Sequence, residues 1–159
     1  MDDAGKKPGS SAAKLPMRDF AHSLPMALLQ ARESAMRRFR PMLRNHGLTE
    51  QQWRVIRGLA EVESIEVSEL AERCMLLAPS LTRILQFLES KRLIERQRVV
   101  TDQRRSTISL TKDGRRLFAR VAPDSEACYA EIEEAFGKEG LDQLYEQLRR
   151  MYVALESAD

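Results

Sequence analysis

The residues of this chain best suited to chemistry are cations, and two of them stand side by side. Arg104 and Arg105 close the polar stretch Thr101-Asp102-Gln103-Arg104-Arg105. The segments on either side, Ile94 to Arg98 and Ser106 through Leu110, are short and bounded by polar residues, and Ile108 and Leu110 alternate inward. The stretch therefore reads as the tip of a β-hairpin. An arginine on such a tip can enter a narrow minor groove of DNA, whose negative potential attracts it. Asp102 is out of place beside phosphates unless it orients Arg104 or Arg105 through a charge-assisted hydrogen bond. Just before the hairpin, Pro79 suits the first turn of a helix on which Leu81, Ile84, Leu85 and Leu88 form one apolar face. Ser80, Thr82, Arg83 and Gln86 fall on the other side. Arg83 could make a bidentate contact to guanine, while Ser80 and Thr82 could reach phosphates or bases.

The charge distribution agrees with that chemistry. Residues 73 to 116 hold eleven Lys/Arg against four acids, whereas residues 122 to 159 hold three against ten, so a net charge of +2 conceals two opposed halves. Phosphate binding needs a local cationic surface, because condensed counterions are released only where a phosphate is touched.

Other chemistries find little support. His22 and His46 lie in no nucleophile or metal constellation, and there is no glycine-rich loop to cradle phosphate, so neither an enzyme nor a cofactor or metal site is expected. Cys74 and Cys128 are far apart, without metal-ligand spacing, and read as buried thiols. No apolar run approaches the roughly 20 residues of a membrane helix. A soluble, cytoplasmic protein is expected. Residues 1–20, rich at their start in Gly, Ser, Ala and Lys, read as a disordered tail.

The elements that must position these residues are marked by helix punctuation. Ser23 with Pro25 can start a helix whose apolar stripe is Leu29, Met36, Phe39 and Leu43, with Pro41 kinking it or lying near its end. Thr49-Glu50-Gln51-Gln52 has capping-box form, and Leu48 and Trp53 are spaced as a hydrophobic staple. A second helix is predicted from Glu50 to Glu61. Ile65 to Val67 should be extended, and Ser68 is placed to cap a third helix through Met75. Two short helices joined by a tight turn put the second, beginning near Pro79, into a major groove. After the hairpin, Thr111 can cap a long helix that continues past Pro123 to Gly137. A last helix carries Leu141, Leu144, Leu148, Met151 and Leu155, a seam for a partner helix. The fold class is mainly α with a small β-wing: a winged helix-turn-helix lobe at 49–110 flanked by dimerisation helices at 23–46 and 111–157, within a single domain at 21–155.

With these residues assembled, the chain resembles the MarR family of winged helix-turn-helix transcriptional regulators over about residues 20 to 155. The passages that carry the resemblance are Ala27-Leu28-Leu29-Gln30-Ala31-Arg32-Glu33, Leu48-Thr49-Glu50-Gln51-Gln52-Trp53-Arg54, Pro79-Ser80-Leu81-Thr82, and Asp102-Gln103-Arg104-Arg105 leading to Leu110-Thr111. The first two look most like the subgroup that answers to hydroxyphenylacetates and represses aromatic-acid catabolism. The resemblance implies a homodimer in which the first, fifth and sixth helices interlock, with a ligand cleft between arm and lobe. It implies a cleft lined by Ser23, Met36, Phe39, Leu43, Trp53, Arg57 and Tyr129. Part of that set agrees with elementary chemistry: Trp53 and Arg57 are one turn apart on one helix face, so an indole and a guanidinium can meet the ring and carboxylate of one aromatic acid. Tyr129 could bond a ring hydroxyl or the carboxylate.

The sequence departs from the family pattern in places. Arg92 stands where relatives usually place a helix-ending glycine, and a left-handed backbone there would be strained by ~1 kcal/mol or more. Arg83, Pro25 and Ser125 stand where the subgroup is usually filled differently, which leaves open the operator sequence and an effector such as a hydroxynicotinate. The function expected is a repressor released from a palindromic operator by an aromatic carboxylate. Two alternatives are a thiol redox sensor of the same fold, for which neither cysteine lies near the start of the first helix, and a protein-binding adaptor using the acidic C-terminal arm.

Overall fold

The computed structural model describes residues 17–99 and 102–157; the side chains of Ala21, Arg98, Val99 and residues 102–105 lie outside that description. The chain divides into two compact units, Met1–Ser34 and Ala35–Asp159. The described part of the first opens with a single 3-10 turn, Phe20–His22, which Asp19 caps by accepting from the His22 backbone N–H at 2.9 Å. The Ser23 carbonyl accepts from the Ala27 N–H at 2.9 Å, so Ser23 begins helix α1, Leu24–Asn45, as expected. Pro41 lies inside α1 near its end, where the missing N–H interrupts the ladder only in its last turns.

In the second unit the chain continues through α2 (Glu50–Ala60), β1 (Ile65–Glu66), α3 (Val67–Arg73), α4 (Ala78–Ser90), β2 (Ile94–Val99), β3 (Asp102–Leu110), α5 (Lys112–Phe136) and α6 (Lys138–Glu156). The capping box at α2 forms in full. The Thr49 hydroxyl accepts from the Gln52 N–H at 3.2 Å, and the Gln52 side chain accepts from the Thr49 N–H at 3.0 Å. Leu48 and Trp53, the staple pair, are both buried. Thr111 caps α5 by accepting from the Gly114 N–H at 3.1 Å, and its hydroxyl also donates to the Arg92 carbonyl at 2.7 Å, tying the wing's exit to the end of α4.

Two expectations need correction. Ser68 does not cap α3: the helix starts at Val67, with Glu66 in the cap position and no side-chain cap bond. The reason is long-range. Ile65 and Glu66 pair with Ile108 and Thr107 of β3, so the chain passes straight from strand into helix. The wing also differs from its expected outline. Asp102 to Arg105 belong to the backbone of β3 instead of a tip loop, because pairing resumes beyond a register shift, with Arg98 opposite Ser106 and Val99 opposite Asp102. Thr101, part of the expected tip, lies outside the described residues.

The sheet has the order β1-β3-β2 and is antiparallel throughout. Its inward residues Ile65, Ile94, Ile108 and Leu110 meet Leu70 of α3, Val55, Ile56 and Leu59 of α2, and the full predicted face of α4, Leu81, Ile84, Leu85 and Leu88. Burying each such side chain is worth about 1.5–3 kcal/mol, so α4 is held mainly by that face. Gly114 shows how tightly α5 approaches the wing. A Cβ there would lie 2.0 Å from the Leu93 carbonyl oxygen, so no other residue fits.

Both lobe helices end in the left-handed conformation without glycine. Met75 has φ 49 and Arg92 has φ 57. Each closes a Schellman motif: Met75 N–H donates to Glu72 and Leu76 N–H to Ala71, while Arg92 N–H donates to Glu89 and Leu93 N–H to Leu88. Arg92 behaves as its sequence position predicts; the strain at Met75 was not anticipated. The C-terminal seam is only partly covered within the chain. Leu141 is buried, Leu148 and Met151 are half-buried, and Leu144 and Leu155 are 40% and 61% exposed. Among the described residues no helix is long and apolar enough to cross a membrane.

Candidate functional site

On α4 the polar side is open. Thr82, Arg83 and Gln86 are exposed and Ser80 is half-buried. The Thr82 hydroxyl donates to the Ala78 carbonyl of its own helix at 2.9 Å, which leaves its oxygen lone pairs outward but commits its proton. Arg83 has no side-chain partner among the described residues, so its guanidinium keeps all five donors. Nearer the end of α4, Arg96 of β2 donates to Glu89 at 3.2 Å, bracing the wing against the helix. The side chains of Asp102, Gln103, Arg104 and Arg105, and the expected bond from Asp102 to an arginine, lie outside the described residues.

A second cluster gathers on α1, α2 and α5. Arg57 of α2 donates to the Tyr129 hydroxyl oxygen at 2.6 Å, with its guanidinium carbon 5.7 Å from the centre of the Tyr129 ring. The tyrosine's own proton is thereby left to donate elsewhere. Phe39 of α1 meets the same ring edge-on, centroids 4.9 Å apart and planes at 67°. One turn before Arg57, Trp53 stacks on Phe118 of α5 at 5.6 Å and 20°. Its indole N–H is fully buried and has no acceptor among the described residues. Met36 is half-buried and packs against the core. Leu43, only 1% exposed, belongs to the same buried cluster as Phe39 and Trp53. Ser23 belongs to the first unit, where its backbone N–H donates to the Phe20 carbonyl.

Two residues of this cluster escaped sequence reasoning as ligand neighbours. Phe118 of α5, not among the expected lining residues, supplies the ring stacked on Trp53. Tyr145 of α6 has its phenol pushed up by burial first, then by the neighbouring Tyr129 and Glu133. The side chain is 53% exposed within the chain, and its spacing from Leu141 and Leu148 is the signal that could have placed it on their side of α6.

The remaining candidates are structural. Cys74 and Cys128 are buried, and burial pushes both thiols up; for Cys128 the carboxylates of Glu131 and Asp124 push further in the same direction. His22 is exposed and bonded to Asp19 at 2.6 Å. His46 pairs with Asp124 at 2.7 Å, joining the turn after α1 to α5 next to Pro123. Among the described residues no group of three or more His, Cys, Asp or Glu could hold a metal.

A three-stranded wing behind two short helices, with an open cationic face on the second, defines a winged helix-turn-helix protein. The chain belongs to the MarR family, whose pattern it matches over residues 46–105. It is 47% identical over 133 residues to the homoprotocatechuate degradative operon repressor of Escherichia coli, a similarity covering 84% of this chain and 89% of that protein. Among solved structures, the transcriptional regulator PA4135 is similar with a TM-score of 0.79 at 45% identity, over 82% of this chain and 96% of that one. NadR in complex with 4-hydroxyphenylacetate is similar with a TM-score of 0.75 at 37% identity, over 86% of this chain and 97% of that one.

Proposed function

We propose that the chain acts as a homodimeric repressor of an aromatic-acid catabolic operon, released from a palindromic operator by a small aromatic carboxylate of the hydroxyphenylacetate or hydroxynicotinate kind. The observation that carries this reading is the indole N–H of Trp53, buried with no acceptor among the described residues, one turn from the Arg57–Tyr129 pair. A buried N–H without an acceptor costs about 1–3 kcal/mol, which a ligand oxygen would recover. Arg57 supplies the cation for the carboxylate and Tyr129 a free hydroxyl proton. Phe39, Met36 and Phe118 supply apolar walls. The E. coli relative is an operon repressor by name and NadR holds 4-hydroxyphenylacetate, and both fit this chemistry.

On the DNA side, α4 lies in the major groove with Arg83, Gln86, Ser80 and Thr82 against base edges and phosphates. The wing carries Arg104 and Arg105, with Asp102 and Gln103, to the minor groove. Two lobes must sit about 34–36 Å apart to enter successive major grooves, and a bound acid holds them at another separation. A coupling of ~1–3 kcal/mol weakens the operator complex about 5- to 150-fold. The test is Arg57→Ala. The variant should bind operator DNA like the wild type and no longer be released by 4-hydroxyphenylacetate; release at wild-type concentrations would refute the site.

A further inference from the structure

The proposed effector residues and the recognition helix lie on different elements, and Arg54 connects them. Arg54 follows Trp53 in sequence but points about 100° around α2 from it, toward α3. Its guanidinium donates to the Cys74 carbonyl at 3.1 Å, and the Cys74 thiol lies 3.7 Å from the Arg54 carbonyl, so the two residues hold each other. Cys74 is the C-cap of α3. Met75 follows with φ 49, and Leu77 is already the N-cap of α4. The bonded carbonyl therefore sits at the head of the four-residue turn, 74–77, that launches the recognition helix.

Two further observations show that α2 grips this end of α3. A Cβ on Gly58 would lie 3.2 Å from the Cys74 sulfur, so glycine permits the close approach, and Arg73 pairs with Glu61 just beyond α2. A methionine in the left-handed region persists only where its surroundings hold it; the two Schellman bonds close this turn, and the guanidinium at the preceding carbonyl adds a tie from α2.

We infer that Arg54 is a positioning residue that transmits the state of the effector cleft to α4, an inference that rests on the function proposed above. Trp53 and Arg57 take the acid on one face of α2. Any shift or rotation of α2 that follows moves the Arg54 guanidinium on the adjacent side of the helix, and with it the Cys74 carbonyl and the strained turn. Coupling through a contiguous tie of this kind requires that breaking it alter the response without removing either binding event.

The experiment compares wild type, Arg54→Met and Arg54→Lys. Operator affinity is measured by fluorescence anisotropy on a duplex selected by the wild-type protein from random sequence, with and without 4-hydroxyphenylacetate. Binding of that acid is measured separately by calorimetry. All three proteins should bind the acid within about threefold of one another. The ratio of operator Kd with and without acid, about 5- to 150-fold in wild type, should fall below about threefold in Arg54→Met and recover in Arg54→Lys, which keeps the charge. A wild-type ratio in Arg54→Met would overturn the inference. If wild-type DNA binding ignores an acid that calorimetry shows to bind, the proposed function and the transmitting role fail together. If the wild type responds and only Arg54→Met remains fully responsive, the inference alone fails.

Discussion

Arg57 carries a guanidinium that is half-buried and bonded to one phenol, with donors to spare, and Trp53 a buried N–H with no acceptor among the described residues. Both are configured to receive oxygens. Trp53→Phe keeps the ring against Phe118 and deletes the donor, so calorimetry should show 4-hydroxyphenylacetate bound about tenfold more weakly, the worth of one hydrogen bond. Equal affinity would remove the indole from the ligand's partners. The cysteines invite the opposite expectation. Burial raises both thiols, so little thiolate is present at neutral pH, and iodoacetamide should label the native protein far more slowly than the urea-unfolded chain. Peroxide should leave operator binding unchanged, whereas a loss reversed by thiol reductant would favour a redox sensor. The sign of the linkage follows. A raised native value means the folded state holds the thiol protons more tightly, so this contribution to stability is intact below the ordinary value of 9.0 and is lost as pH rises through the native values.

At the scale of elements, the helix ends make the sharpest predictions. Arg92→Gly relieves a left-handed arginine in a Schellman motif and should raise unfolding free energy by ~1 kcal/mol in a urea titration; a decrease would mean that the φ of 57 is not strained. Gly114→Ala forces a methyl onto the Leu93 carbonyl and should cost ~3 kcal/mol or more, since that neighbour is backbone and cannot swing aside. What the sequence made legible at this scale was local. The capping box at Thr49, the apolar face of α4, the cap at Thr111 and the strain at Arg92 are each decided by residues within a turn or two. What stayed hidden was long-range. The start of α3 is set by pairing of Ile65 and Glu66 with a strand some 40 residues later in the chain, which displaced Ser68 from its expected cap. Nothing in the residue type of Met75 marks it for the left-handed region, and the stacking of Phe118 on Trp53 joins two helices that no periodicity relates.

At the scale of the molecule, the cationic stretch 73–116 and the anionic stretch 122–159 are opposed in charge, and the proposed function gives the first to DNA and the second to a second copy of the chain. The exposed Leu144, Tyr152, Val153 and Leu155 on α6 leave an apolar surface that a homodimer would cover. Sedimentation should therefore give a dimer at micromolar concentration, and a stable monomer would leave the operator without its second reader. Arg104→Ala should weaken binding to many sequences alike and flatten the dependence of log K on log salt by about one unit; an unaltered slope would place the wing away from phosphate. The recognition-helix and wing candidates rest on residue types and spacing, whereas the expected ligand set rests largely on family resemblance, because its members come from helices far apart in the chain that no local periodicity relates. The most direct test of the whole account is anisotropy of a labelled operator duplex titrated with the wild-type protein, with and without saturating 4-hydroxyphenylacetate. An increase in Kd of about 5- to 150-fold is the predicted result. An unchanged Kd, while calorimetry shows the acid bound, would contradict it.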